Sequence, residues 1–437
     1  MTDFDLSLIL FAVLMVLILL RAPIGLAMLV CGAVGLYMVT GSWSMFLAKL
    51  KTESYSIFSN HSLSIIPMFL LMGQFATHSG LSRALFKAAE GWFGHYRGGL
   101  AIAAIGACGG FGAICGSSLA TAATMGRVAL PELEARGYKG GLATATLAAG
   151  GTLGILIPPS IILVIYAILT EQNIAKLFLA AFIPGLMAAV GYALAIMLYV
   201  RLYPNAGGST TRRSYAKRFQ LLFEIWPAMI IFVMVVGGIY MGIFTPTEGA
   251  AIGAALTCIF TILLKKMNFE IFKQSLFETA KSTAMIFFII LGAAFFNGFL
   301  ALSQFPQTLS IMIIETGLSP WLILVLILCF YLVFGCIMDS LSMILLTVPI
   351  FFPIIMGLDF GLSPEQLAIW FGILILIAVE VGLITPPVGM NLFIINNLSP
   401  KTPLMDTYKA VLFFVGSDII RIALLLLFPS ITLMFIA

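Results

Sequence analysis

The chain is a succession of long apolar runs separated by short polar or charged connections, and the lengths of the runs set the architecture. Spans are predicted at about 4–20, 22–40, 62–79, 175–199, 224–243, 247–264, 283–303 and 410–435, since roughly 20 apolar residues at ~1.5 Å rise cover the hydrocarbon of a bilayer. The first two are joined by a tight turn at Arg21-Ala22-Pro23, and an interfacial stretch runs from the second to about residue 60. From Ser82 to Tyr96, Arg83, Lys87 and Glu90 mix with Leu85, Phe86, Trp92 and Phe93, the pattern of an amphipathic helix on the membrane surface.

One apolar run contradicts itself. The uncharged segment from Gly140 to Thr170 is long enough to span, yet its centre reads Gly150-Gly151-Thr152-Leu153-Gly154-Ile155-Leu156-Ile157-Pro158-Pro159. Proline removes a backbone donor and pushes the preceding residue out of the helical region, so unwinding is predicted at 157–159. Backbone freed at that depth must line a polar cavity or lie against protein, the setting of binding sites in secondary transporters. The break recurs as Gly382-Leu383-Ile384-Thr385-Pro386-Pro387, at an offset of 228 (382 − 154). Ahead of each break stands a second matched pair, Phe111-Gly112-Ala113-Ile114-Cys115-Gly116-Ser117 and Phe334-Gly335-Cys336-Ile337-Met338-Asp339-Ser340, at an offset of 223 (334 − 111). Paired features in the same order define an internal repeat.

The stretch before the first break is too short to go in and out as two full spans, which predicts a re-entrant hairpin over about 98–130 with its tip at Gly116-Ser117-Ser118. A second hairpin is predicted over about 320–357, tipped by Asp339-Ser340. The expected fold is therefore an all-α polytopic membrane protein with two re-entrant hairpins and two broken helices, over about 140–170 and 366–398. Scaffold helices occupy 1–60, the first repeat 61–200, a basic loop 201–220, further scaffold helices 221–280, and the second repeat 281–437.

Charge sets the sidedness. The loop containing Arg201, Arg212, Arg213, Lys217 and Arg218 has no acidic residue and is assigned to the cytoplasm, as is Lys265-Lys266. Counting from there puts both termini outside and brings the two hairpins in from opposite faces, an inverted-topology repeat. Lys49 and Lys51 fall outside in this scheme, against the rule.

Composition excludes other classes. With 61% hydrophobic and 9% charged residues and a mean hydropathy of +1.13, the chain is neither a soluble fold nor a barrel of short alternating strands. The net charge of +4 comes mostly from the loops and implies no nucleic acid. The six cysteines lie in apolar runs without metal-ligand spacing, His61, His78 and His95 flank the third span and the amphipathic segment, and no hydrolase, zinc-protease or phosphate-loop motif points to an enzyme.

The candidate chemistry is concentrated at the tips and breaks. Hydroxyls, freed carbonyls and a carboxylate are hard-cation ligands and suit Na⁺, while half-helix N-termini favour an organic anion. The candidates for Na⁺ are Gly116, Ser117, Ser118, Gly151, Thr152 and Gly154 in the first half, and Asp339, Ser340, Gly382, Thr385 and Pro386 in the second. Ser118, Thr121 and Ser342 are the candidates for substrate. Asp339 is the sharpest, because a carboxylate at such a tip is costly unless it is paired or binds a cation. Glu380, just ahead of the second break, reads equally as site or structure. Asp418 and Arg421 are spaced to pair on one helix face, and Glu248 after Thr245-Pro246-Thr247 reads as a helix cap.

The run Phe111-Gly-Ala-Ile-Cys-Gly-Ser-Ser118, the break Gly154-Ile-Leu-Ile-Pro-Pro159, Thr245-Pro-Thr-Glu248 and Gly382-Leu-Ile-Thr-Pro-Pro387 together resemble the large (DctM-like) membrane subunit of TRAP (tripartite ATP-independent periplasmic) transporters, within the ion-transporter superfamily. The likeness covers nearly the whole chain. It implies Na⁺-coupled import across a bacterial inner membrane by an elevator motion of the hairpin-bearing core. The partners it implies are a small membrane subunit of about four helices, separate from this chain, and a periplasmic substrate-binding protein. The implied substrates are organic acids, C4-dicarboxylates first, then sialic acid and other sugar acids. The alternative is a self-sufficient Na⁺/carboxylate symporter of the same superfamily.

Overall fold

A computed structural model describes residues 2–315 and 317–436, and these are helical nearly throughout, with no β-strand among the described residues. The N-terminal helices are α1 (Asp3–Leu19), α2 (Ile24–Thr40) and α3 (Ser44–Phe58). A capping box starts α1, in which the Thr2 hydroxyl accepts from Asp5 N and the Asp5 carboxylate accepts from Thr2 N. The interfacial stretch is thus a helix, α3, and it meets α4 (Ile65–Ser79) at a bend of 54°. The amphipathic segment forms α5 (Leu81–Phe93), which buries Leu81 and Phe86. Its polar face meets protein as well as solvent, because buried Glu90 pairs with Arg213 at 3.0 Å.

Next come the first hairpin, α6 (Gly99–Cys115) and α7 (Ser118–Ala135), and the first broken helix, α8 (Gly140–Leu156) and α9 (Ile161–Leu169), bent by 44°. The helix continues through Gly151 and Gly154 and unwinds only after Leu156, where the proline pair removes the donors. Then α10 (Ile174–Leu202) leads to the basic loop, α11 (Tyr215–Phe223), α12 (Trp226–Phe232), a π-helical turn (Val233–Gly237) and α13 (Gly238–Tyr240). The connecting α14 (Pro246–Leu263) carries the expected cap, with the Glu248 carboxylate accepting from Thr245 N at 2.8 Å.

The second half runs through α15 (Phe269–Leu302), which continues well beyond its apolar core, and α16 (Phe305–Glu315). The second hairpin is α17 (Pro320–Gly335) and α18 (Ser340–Met356), followed by the second broken helix, α19 (Pro364–Gly382) and α20 (Met390–Leu398). The chain closes with α21 (Leu404–Leu427) and α22 (Pro429–Leu433). Five of these helices are individually long and apolar enough to cross a membrane, namely α10, α14, α15, α19 and α21, and the bent pairs raise the number to eight.

Glycine sets the closest contacts. In the first half a Cβ on Gly112 would stand 2.4 Å from Gly154 Cα; in the second, one on Gly382 would stand 2.6 Å from Gly335 Cα. These are matched positions of the two repeats, so each hairpin is docked on its own broken helix by backbone-to-backbone contact. A similar seam joins α2 to α15, where a Cβ on Gly32 would meet the Phe295 carbonyl carbon at 2.6 Å and one on Gly292 would meet the Gly25 carbonyl oxygen at 2.2 Å.

Candidate functional site

Each hairpin turns over a helix N-terminus, and the residues at the turn explain why. Gly116 adopts φ +65°, a left-handed conformation that ends α6. Ser117 then caps α7, its hydroxyl accepting from Ala120 N at 3.4 Å. In the second half Asp339 is the cap of α18. Its carboxylate accepts from Ser342 N at 3.1 Å and from the Ser342 hydroxyl at 2.6 Å.

Behind each tip lies the unwound break of the same half. A Cβ on Gly116 would meet Pro159 O at 3.0 Å, and Gly389 N donates to Cys336 O at 3.2 Å. Both Pro158–Pro159 and Pro386–Pro387 are cis. Thr385 donates its hydroxyl to Val381 O at 2.6 Å.

The two tips converge on one cavity of about 300 Å³, lined by Gly116, Ser117 and Ser118 from the first and Asp339 and Ser340 from the second. Leu383 of the second break joins them. The opposite wall carries Gln74 and Thr77 of α4 and Ser282 of α15. Every charged or polar lining side chain is acidic or neutral, with no Lys or Arg.

Of the residues expected from the sequence, those five tip positions are brought together around the cavity. Gly151, Thr152, Gly154, Thr121, Ser342, Gly382, Thr385 and Pro386 stand behind it. Thr121 is buried, its hydroxyl has no partner, and a Cβ on Gly154 would come within 2.4 Å of it. Thr152 is turned the other way. Its hydroxyl is bonded to Ala149 O and to Tyr192 Oη, at 2.7 and 2.9 Å. Tyr192 donates to Asp418 Oδ2 at 2.8 Å, and Asp418 pairs with Arg421 at 2.8 Å, so the pairing expected on α21 is present and buried.

Sequence reasoning missed this opposite wall. Gln74 and Thr77, three apart in the second half of α4 ahead of His78 and Ser79, were the available signal. It also missed Asn391 of α20, which is fully buried and donates to Ala148 O of the first broken helix at 3.3 Å. Glu380 is fully buried, and the Ser340 hydroxyl donates to its Oε1 at 2.5 Å.

Paired hairpins on paired broken helices, with both tips opening on one cavity in an all-helical polytopic bundle, define a secondary-transporter architecture. Residues 11–431 match the family model described as tripartite ATP-independent periplasmic transporter, DctM component. The chain is 36% identical over 390 residues to the C4-dicarboxylate TRAP transporter large permease protein DctM of Pseudomonas aeruginosa, covering 88% of each. It is 31% identical over 431 residues to the ectoine TRAP transporter large permease protein TeaC of Halomonas elongata, covering 95% of this chain and 96% of that one. Among solved structures, the crystal structure of the Alcanivorax borkumensis YdaH transporter superposes with a TM-score of 0.61 over 88% of both chains at 14% identity, a likeness of fold. The chain belongs to the DctM-component family of tripartite ATP-independent periplasmic transporters. It is a multi-pass membrane transport protein and not an enzyme.

Proposed function

We propose that this chain is the inner-membrane subunit through which an organic acid enters the cell together with Na⁺. A periplasmic binding protein delivers the substrate, and a small membrane subunit of about four helices completes the scaffold. The observation that carries this reading is the meeting of both hairpin tips on one cavity without a basic side chain. The N-termini of α7 and α18 offer a carboxylate unpaired N–H groups and the positive ends of two dipoles. The acidic Asp339 on the same wall opposes an anion unless a cation is held there too. Carboxylate and Na⁺ thus raise each other's affinity, which is the thermodynamic content of coupling.

For the cation, Gly116, Ser117 and Ser118 act with the Gly151 and Gly154 backbone in the first half. In the second half Asp339 and Ser340 act with Gly382, Thr385 and Pro386. The orphaned hydroxyl of Thr121 fits an oxygen donor set of this kind. Ser118, Thr121 and Ser342 are the substrate-side hydroxyls. Relatives named for C4-dicarboxylate, sialic acid and ectoine support an organic acid as the substrate class. The hairpins and broken helices move as one block past the α2–α15 scaffold.

The test is radiolabelled uptake into proteoliposomes, with a panel of organic acids, with and without a Na⁺ gradient. Uptake that needs this chain, the small subunit, the binding protein and Na⁺ is the expected result. Uptake by this chain alone overturns the tripartite part, and Na⁺-independent uptake overturns the coupling.

A further inference from the structure

A second cavity, of about 670 Å³, lies at the corner where α4 ends and α5 begins, and it shares only Thr77 with the cavity at the tips. Gly80 makes the corner with a left-handed φ of +83°, which sets the last turn of α4 beside the first turns of α5. Arg83 and Lys87 of α5 line the cavity with His78 and with Lys266, just beyond α14. Four positions apart, Arg83 and Lys87 share one helix face. Arg127 of α7 adds a further positive charge, near enough to act on His78.

These cations have no counterion in the protein. Glu224 is the one acid of the lining. Among the described residues it pairs with none of them, and Arg83, Lys87 and Lys266 have no ion pair elsewhere. Like charges gathered in this way repel one another, and a bound anion relieves the repulsion.

The apolar part of the lining says what kind of anion. Trp226 and Leu264 line the cavity and are themselves exposed, and beside them Phe223, Ile262 and Leu263 are more exposed still. Because α14 is long and apolar enough to cross a membrane and Lys265-Lys266 follow its last turn, the cavity stands where hydrocarbon gives way to headgroups. A tryptophan and lysines at one level mark that boundary. Inorganic phosphate or a small organic acid would use the cations and leave the apolar flank unused. A phospholipid uses both.

We propose that this cavity holds the headgroup of one anionic phospholipid. Its phosphodiester oxygens accept from Arg83, Lys87 and Lys266, and its acyl chains run along the flank of Trp226, Ile262 and Leu263. The first turn of α5 adds to the cations. No side chain caps this helix, and although Leu81 N donates to the Ser79 hydroxyl at 3.2 Å, the amides of Ser82 and Arg83 have no intrahelical acceptor. The lipid meets the first hairpin at Val128 and the end of α14 at Lys266, and so bridges the two.

The test is native mass spectrometry of the purified chain, titrated with phosphatidylglycerol or with phosphatidylcholine. One phosphatidylglycerol should stay bound, with a several-fold preference over phosphatidylcholine. R83Q/K87Q/K266Q should lose the preference, whereas R201Q/K401Q/K409Q, which removes three exposed charges elsewhere, should keep it. A84F retains every charge but fills part of the cavity, and it should lose the lipid as well. Equal binding of the two lipids, equal loss in both triple variants, or wild-type binding by A84F each overturns the proposal. Should A84F fail to fold, the two triple variants decide the matter.

Melting temperatures in lipid-free detergent separate the sources of the anion. Phosphatidylglycerol should raise that of the wild type and leave R83Q/K87Q/K266Q almost unmoved. An equal rise with inorganic phosphate or succinate alone overturns the lipid as the ligand. The complete transporter should carry the same phosphatidylglycerol. Its loss when the small subunit binds assigns the cavity to that subunit and overturns the proposal.

Discussion

At the first tip the helix is capped by a serine and the turn holds two residues, Gly116 and Ser117. At the second it is capped by an aspartate and the turn runs over four, Cys336 to Asp339. The contrast extends to the broken helices. Thr152 and Glu380 occupy matched positions two residues ahead of Gly154 and Gly382, so a neutral hydroxyl in one half answers a carboxyl in the other. What the halves share is backbone geometry, the glycine contact and the proline break. What differs is charge, and both acids are in the second half. Duplicated packing therefore frames the cavity symmetrically, while its electrostatics are one-sided.

The largest effect expected from breaking this arrangement is at Asp418. Asp418→Ala leaves Arg421, 4% exposed, without its partner, and the loss should be about 3–5 kcal/mol. It would also release Tyr192 and, through it, Thr152, so a stable variant in thermal or denaturant unfolding would show that the ion pair does not hold the first broken helix. Next come Gly154→Ala and Gly382→Ala, where the added Cβ strikes Thr121 Oγ1 at 2.4 Å and Gly335 backbone at 2.6 Å. Each should lose about 1–3 kcal/mol by overpacking. Comparable losses sharpen the equivalence of the halves; a tolerated Gly382→Ala breaks it.

Smaller effects test the asymmetry of charge. Asp339→Asn should raise the half-saturating Na⁺ concentration by about 10-fold, equivalent to ~1.4 kcal/mol, and Ser117→Ala by much less, both read from uptake against Na⁺ concentration. Equal shifts would mean that the acid adds nothing beyond its cap. Thr152→Val removes the link to Tyr192 and should cost roughly 1 kcal/mol of stability, visible as a lower melting temperature. Single cysteines replacing Glu132 and Asp359 on a cysteine-free background should label from opposite faces of oriented vesicles with almost no perturbation. Labelling from the same face ends the inverted arrangement.

The sequence carried the backbone events because their causes are local. Proline chemistry at 158–159 and 386–387, the left-handed Gly116 and the caps at 117 and 339 act within a few residues, and the hairpins and broken helices follow. It could not say where Thr152 points, since that depends on Tyr192 forty residues on and on Asp418 a further 226. The wall formed by Gln74, Thr77 and Ser282 was hidden for the same reason, because only the packing of α4 and α15 against the tips turns ordinary polar residues into a lining. Glu380 was visible as an oddity, and its meaning needed Ser340, forty positions back in the chain.

The glycine seam between α2 and α15 bears on the mechanics of the molecule. Where two helices touch through their backbones, there are no rotamers at the joint to yield, and the pair behaves as a single stiff beam. Force applied at one end of such a beam reaches the other without being absorbed in the middle. Side chains added along the seam would strike backbone that cannot turn aside and would force the two helices apart.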